Sequence, residues 1–374
     1  MQKIRSFLKK ETVFAVSLIL ALMSMIVKPP DSDYWGYIDF RVLGILLGLM
    51  LIMSGLQRVG IFDIVCQKLL SRVQNIRQLA WILIMLCFFS SMVITNDVAL
   101  VAFVPFAIVS LKKAGYESKA IWIVVMQTIA ANLGSMLLPS GNPQNLYLYN
   151  LSEMSFGEFI VLMLPYVLVA FAMLCILVLC LKKEPIQISA KEKIPVSKRG
   201  KINTVVYGIL FAMGILTVCR ILPYEIFLTG TLAAVGICDI KAYKNVDYFL
   251  LLTFMCFFVF IGNIGSIETV RNTLEDIVKG REVVTGIIVS QVISNVPAAL
   301  MLSGFTDHCR ELIVGVDLGG LGTLIASMAS LISYKIYAEN FKETKGKYLL
   351  QFTAYNIIFL GLLFGLWSVM RQFG

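Results

Sequence analysis

Four apolar runs, residues 12–27, 159–181, 249–261 and 349–370, approach or reach the roughly 20 residues that an α-helix needs to cross a bilayer. Runs of that kind are about double the length of a barrel strand, so the pattern predicts membrane-spanning helices. Two further apolar runs are interrupted near their middle by small polar residues. The first, residues 79–111, carries Thr95-Asn96-Asp97, and the second, residues 283–303, carries Ser294-Asn295-Val296-Pro297. Each is followed by another interrupted run. Residues 120–149 contain Asn132-Leu133-Gly134 and then Pro139-Ser140-Gly141-Asn142-Pro143-Gln144-Asn145, and residues 312–334 contain Asp317-Leu318-Gly319-Gly320 and then Ser327-Met328-Ala329-Ser330. Two prolines and two glycines between Gly134 and Pro143 prevent a regular helix, so the backbone must unwind at depth.

The basic residues orient these elements. Of the 32 Lys and Arg, 24 fall before residue 11 and in residues 58–77, 112–119, 182–201, 241–244 and 335–347. Placing all six segments on one side makes that side the cytoplasm by the positive-inside rule. Lys28, Arg41, Arg220, Arg271, Lys279, Arg281, Arg310 and Arg371 remain in the other loops. Residues 79–111 then have basic flanks at both ends, Arg72 and Arg77 before and Lys112 and Lys113 after. Each half of that run has only about 14 to 16 apolar residues, short of a full crossing, which predicts a re-entrant hairpin entered from inside. Residues 283–303 predict a second hairpin, entered from outside. The expected fold is all-α and polytopic, with about nine transmembrane helices and two re-entrant hairpins, a cytoplasmic N-terminus and an external C-terminus.

The two halves answer each other residue by residue. Ile38-Asp39-Phe40 matches Val246-Asp247-Tyr248, Asn96 matches Asn295, and Asn132-Leu133-Gly134 matches Asp317-Leu318-Gly319. Asn142 and Asn145 match Ser327 and Ser330 at one constant offset. Because the copies enter from opposite sides, the expected organisation is an inverted repeat. Its first copy is 1–181 (hairpin 79–111, broken helix 120–149) and its second is 221–374 (hairpin 283–303, broken helix 312–334). Between them lie a basic cytoplasmic linker, 182–202, and a connecting helix, 203–220, that reverses orientation.

Composition agrees. Hydrophobic residues make up 58% of the 374 and the mean hydropathy is +0.84, against an apolar share of roughly 45–50% in soluble domains. The net charge of +9 is accounted for by topology, so no nucleic-acid partner is expected. Cysteines such as Cys87, Cys175, Cys180 and Cys256 fall inside apolar runs, and no C-x-x-C pair occurs, so they read as small apolar fillers. His308, the single histidine, sits in a polar loop, which leaves a His-based metal site, a triad or an intramembrane enzyme without support. Residues 12–27 have the basic flank of a signal sequence but no small-residue cleavage site before Lys28-Pro29-Pro30, and are expected to be a retained span. Glu268, Glu275 and Glu282 lie in a stretch resembling an amphipathic helix and are expected to be solvated.

The G-N-P-Q-N core at 141–145, and Val316-Asp317-Leu318-Gly319 leading to Ser327-Met328-Ala329-Ser330, are similar to the paired broken-helix motifs of the ion transporter superfamily. That superfamily holds arsenite and antimonite permeases, citrate-type permeases, divalent-anion sodium symporters and some sodium/proton antiporters, and the motifs lie nearest the arsenite-permease-like branch. Thr95-Asn96-Asp97 and Ser294-Asn295-Val296 resemble the Ser-Asn-Thr hairpin tips of the symporters, with Asp97 and Val296 where those have Thr. The resemblance spans roughly residues 38–371. It implies a scaffold part that forms a homodimer and a transport part of hairpins and broken helices that moves as an elevator in an inner membrane.

Unwound backbone in a bilayer leaves carbonyls and amides in need of partners, at several kcal/mol each if bare. Na⁺ suits the carbonyls, and helix N-termini beside the breaks suit anions. Thr95, Asn96, Asn142, Asn145, Ser294, Asn295, Ser327 and Ser330 are therefore expected to bind substrate, or else only to cap helix ends. Asp97, Asn132, Gly134, Asp317 and Gly319 are expected to couple the ion, with Na⁺ at Asn96, Asp97 and Asn295. An ionised Asp at the bilayer centre costs roughly 3 kcal/mol or more, so Asp97 and Asp317 would bind Na⁺ or carry a proton, the alternative being a neutral helix cap. Two carboxylates repel a dianion, which weakens a citrate-like substrate. The expected activity is secondary transport of a small inorganic or organic anion, driven by H⁺ or Na⁺ and needing no cofactor. Two alternatives remain, a sodium/proton antiporter and an exporter of a neutral hydroxide such as arsenite.

Overall fold

A computed structural model of the chain describes residues 11–70, 73–186 and 198–373. The basic N-terminal segment, Arg72 and residues 187–197 of the linker lie outside the described residues. The described chain is helical apart from short turns and one isolated antiparallel bridge between Asn75 and Pro185. Among the described residues seven segments are long and apolar enough to cross a membrane: Phe40–Val59, Ile76–Ile94, Glu117–Leu137, Phe156–Leu179, Gly200–Val218, Tyr248–Gly265 and Lys342–Gln372. Val13–Val27, Tyr224–Cys238 and Glu282–Ile293 are apolar but shorter. The protein is thus an all-α, polytopic membrane protein.

Two spans start with the same local chemistry. Asp39 caps the helix Phe40–Val59 with φ −80° and ψ 89°, its carboxylate accepting from Val42 N, and Asp247 caps Tyr248–Gly265 with φ −81° and ψ 82°, accepting from Leu250 N. Near the far end of Phe40–Val59, Ser54 Oγ donates to Ala242 O at 2.7 Å and Arg58 pairs with Asp239 at 2.7 Å. That end therefore lies beside the chain leading into Asp247. A 20-residue helix is about 30 Å long, so Asp39 and Asp247 sit at opposite ends of the bundle.

The expected hairpins are helix pairs joined by one residue. Ile76–Ile94 and Asn96–Ala114 meet at Thr95, and Glu282–Ile293 and Asn295–Ser303 meet at Ser294. Both joints have left-handed φ, 65° at Thr95 and 76° at Ser294, which non-glycine residues seldom adopt. The arms of the first pair are 19 residues each, because Ile76-Arg77-Gln78 and Lys112-Lys113-Ala114 extend the apolar run with helical polar turns. The short-arm argument for a re-entrant first hairpin therefore does not hold, whereas the arms of the second pair have only 12 and 9 residues.

The broken helices unwind where expected. Ala120–Gly134 gives way to tight turns over Ser135–Leu137 and Pro139–Gly141, and a new helix, Pro143–Leu151, begins with Pro in its first turn behind the Asn142 cap. Cys309–Gly319 likewise ends, and Met328–Asn340 restarts after a non-helical stretch. Glu282 departs from its expected solvation. It is 3% exposed, and its carboxylate accepts from Gly280 N and Thr306 Oγ1, both at 3.0 Å.

Glycines let each broken helix lie on the first arm of its own pair. A Cβ at Gly315 would meet Val283 Cα at 2.7 Å and the carbonyl oxygens of Glu282 and Val283 at 2.9 Å, all backbone atoms that cannot swing aside. Gly315→Ala is accordingly expected to cost about 1–3 kcal/mol of overpacking and to lower the thermal unfolding midpoint in detergent. Gly361→Ala, which meets nothing within 4 Å, should leave the midpoint within error.

Candidate functional site

The polar groups at the two breaks are partnered across the halves. Asn132, near the end of the first broken helix, donates from Nδ2 to Ser330 Oγ at 3.1 Å, and its Oδ1 accepts from Ser327 Oγ and Asn96 Nδ2, both at 3.1 Å. Asp317, its counterpart in the second half, accepts at Oδ1 from Asn142 Nδ2 and Gln144 Nε2, both at 3.2 Å. Each helix end is thus held by the restart of the other broken helix. The restarts follow the same exchange in packing: Pro143–Leu151 lies against Asn295–Ser303, and Met328–Asn340 against Asn96–Ala114. Tyr147 and Ser303 hydroxyls bond at 2.8 Å in the first of these contacts.

Local bonds support the crossing. Asn142 Oδ1 accepts from Asn145 N at 2.9 Å while its Nδ2 also reaches Ser135 Oγ at 3.3 Å, so one side chain caps a helix and bridges to Asp317. Ser294 and Asn295 face the second break, Asn295 N donating to Ala326 O at 3.0 Å. Ser294, Asn295, Asn96, Asn132, Asn142, Asn145, Ser327, Ser330 and Asp317 are all buried. Thr95 is half-buried at the joint of the first pair.

Several buried atoms of this network take no protein hydrogen bond: both amide atoms of Asn145, Asp317 Oδ2 and Ser140 Oγ. The Asn145 amide nevertheless interacts with the Asp317 carboxylate, so these two groups satisfy each other in part. A buried unsatisfied polar group costs about 1–3 kcal/mol, more when charged, and a small solute or cation would relieve it. Every partner within the network is an amide, a hydroxyl, a backbone group or the Asp317 carboxylate. Asp97 is not among them. Its backbone N donates to Asn96 Oδ1, its carboxylate has no hydrogen bond or ion pair among the described residues, and the acidic charge acting on it is that of Asp247. Only one of the two aspartates expected at the site is therefore in the crossed network. Among the described residues no group of three or more His, Cys, Asp or Glu could hold a metal ion.

Gly134 and Gly319 have a packing role. A Cβ on Gly134 would strike Phe88 O and Ser91 Oγ, and one on Gly319 would strike Ser290 Oγ, at the matching position of the other pair. Two glutamines were not foreseen. Gln144 lies inside the G-N-P-Q-N run, where its polarity at a buried helix start was the available signal. Gln291 donates from Nε2 to Gly319 O and Leu321 O, both at 2.9 Å, and accepts from Thr323 N at 2.9 Å, satisfying the unwound backbone of the second break. Only its position three residues before Ser294 in an apolar run marked it.

The sequence model of a family described as citrate transporter matches residues 7–309. An uncharacterized transporter of Methanocaldococcus jannaschii is 30% identical over 335 residues, 89% of this chain and 90% of that protein. The inner membrane protein YbiR of Escherichia coli is 29% identical over 345 residues, 88% of each. A silicon efflux transporter of Oryza sativa is 29% identical over 150 residues, 40% of this chain and 30% of that protein.

Removing the Asn132 amide strands Asn96 Nδ2 and two serine hydroxyls. Asn132→Ala is expected to lower stability by about 1–3 kcal/mol for each group left unsatisfied, read as an earlier unfolding midpoint in detergent. The exposed Thr229→Ala, whose hydroxyl bonds only its own helix, should leave that midpoint unchanged.

Proposed function

The chain belongs to the citrate transporter family, a family of membrane transporters rather than enzymes, and on that premise we propose secondary active transport of a small anion coupled to Na⁺ or H⁺. The observation that carries this reading is the crossed network, in which a single buried carboxylate, Asp317, stands among uncharged amides and hydroxyls. An anion can sit beside that carboxylate only if a cation or proton neutralises it, which makes coupling the natural consequence. Asn142, Asn145, Ser327 and Ser330, with Asn96 and Asn295 at the joints and Thr95 and Ser294 before them, would bind the solute. Na⁺ at Asn96, Asp97 and Asn295, or a proton on Asp317, would drive it.

The halves are read as an inverted repeat. The duplicated Asp39 and Asp247 caps at opposite ends of the bundle, and the duplicated backbone of Thr95 and Ser294, support that reading. Copies of opposite orientation around one midplane site give two alternative accesses, and the hairpins and broken helices would carry the site as an elevator past a dimerising scaffold that includes the Asp-capped spans Phe40–Val59 and Tyr248–Gly265. The first pair enters from the lysine-rich side by its basic flanks, and the second from the other side by its short arms. The charge distribution supports a cytoplasmic N-terminus and an external C-terminus, and the Escherichia coli relative supports the inner membrane as the location.

A second reading, export of a neutral hydroxide, is favoured by the uncharged majority of the network and by the rice relative described as a silicon efflux transporter. Reconstituted vesicles separate these readings. An imposed Na⁺ or pH gradient should drive uptake of labelled small anions, and Asp317→Asn should reduce gradient-driven uptake at least tenfold. Gradient-independent equilibration of a neutral hydroxide, with no anion uptake, would select the second reading. Cation movement without any added solute would overturn both in favour of a sodium/proton antiporter.

A further inference from the structure

The two halves are not in the same state, and the difference lies where the restart helices meet the scaffold spans Phe40–Val59 and Tyr248–Gly265. In the first half the contact is closed. Asn150 Nδ2, in the last turn of Pro143–Leu151, donates to Asp39 Oδ2 at 2.9 Å. Tyr147, one turn earlier, packs its ring on Phe254 and Phe258 of the other scaffold span, with centroids 6.2 and 5.6 Å away. Arg220 then ties down the helix end, donating to Tyr149 O at 3.0 Å and Ser152 O at 2.7 Å.

At the offset that relates Asn142 and Asn145 to Ser327 and Ser330, Tyr147 corresponds to Ile332 and Asn150 to Lys335. Ile332 and Lys335 make no such closure. Both line a cavity of about 100 Å³, together with Asp247, the counterpart of Asp39, and with Val296 and Met328, next to Asn295 and Ser327 of the crossed network. Asp247 and Lys335 are both exposed, and among the described residues no hydrogen bond or ion pair engages the Lys335 ammonium. Opposite charges thus face one gap at the end of the bundle away from Asp39. The carboxylate of Asp247 is held in place by its cap bond to Leu250 N, so closure needs only movement of the restart helix.

We propose that Lys335 and Asp247 form the closing contact of the lysine-rich side, the counterpart of Asn150 with Asp39, and that the two contacts alternate. The first is closed and the second open in the conformation described here. The inference rests on the alternating-access reading but goes beyond it by naming the pair that closes. Where the first half uses a neutral amide on a carboxylate, the second uses an ion pair, so closure on the lysine-rich side weakens with salt and the other does not to the same degree.

The test reads proximity rather than flux. In a background with the eight native cysteines replaced, Asp39→Cys with Asn150→Cys, and Asp247→Cys with Lys335→Cys, are oxidised in native membranes, separately and together. Each pair is expected to form a disulfide alone, and in the fourfold variant intact mass should find either disulfide but not both in one molecule. Both disulfides in the same molecule would overturn the proposal. So would the absence of the second from a variant that runs as a single species on size exclusion. Spin labels at 244 and 339, exposed positions that leave Asp247 and Lys335 intact, give an independent readout in nanodiscs, expected to show a long and a short distance population with the short one reduced by high salt. A single long population at every salt concentration would also overturn it. Failed anion uptake in vesicles leaves these outcomes standing, and failed cross-linking leaves the anion reading standing.

Discussion

A backbone that unwinds inside a bilayer must find partners for its freed amides and carbonyls within the protein, since no water is at hand and each bare group costs several kcal/mol. This constraint organises the centre of the molecule. The first break answers it mostly by itself, with tight turns over Ser135–Leu137 and Pro139–Gly141 and the Asn142 cap on the helix that follows. The second break lacks the prolines that pre-shape such turns and borrows Gln291 from a neighbouring helix instead. The polar side chain at each helix end takes most of its partners from the opposite half, Asn96 being the one partner Asn132 finds in its own. Asn132 finds Ser327 and Ser330, and Asp317 finds Asn142 and Gln144, all in the opposite half.

Two kinds of contact therefore divide the labour. Within each half the broken helix rests on its helix pair through glycines, Gly134 at Ser91 and Gly319 at Ser290, at separations that leave no room for a side chain. Close packing of this sort makes each half stiff. Between the halves, besides the packing of each restart helix on the opposite pair, the breaks meet through hydrogen bonds between small neutral groups and one carboxylate, which a solute or cation can join without large rearrangement. Toward the spans Phe40–Val59 and Tyr248–Gly265 the restart helix Pro143–Leu151 makes a polar contact at its end, Asn150 with Asp39, and aromatic contacts at its middle, Tyr147 with Phe254 and Phe258.

Much of this was legible in the sequence, because it depends on local chemistry. An Asp before an apolar run caps a helix, a polar residue pair inside such a run breaks it, and Asn before Pro restarts one, which located Asp39, Asp247, Thr95, Ser294 and Asn142. Tertiary placement was not legible. Residues 76–78 and 112–114 are polar enough to end an apolar count yet are helical, so the arms of the first pair come out longer than that count. Asp97 and Asp317 look alike as intramembrane carboxylates, and only the fold separates the one in the network from the one outside it. Glu282 reads as a solvated charge until Gly280 and Thr306 are seen around it. The two glutamines belong to the same class, since their partners are remote in sequence or formed only by the unwound chain.

If both breaks form one site for a single solute, its binding must protect both at once, which hydrogen–deuterium exchange of the protein in nanodiscs reads at residues 132–145 and 317–330. Exchange is compared with and without a saturating solute that vesicle uptake has identified. Exchange is expected to slow in both segments together, at the same solute concentration, although they are far apart in sequence. Protection of one segment alone, or of neither, would contradict it.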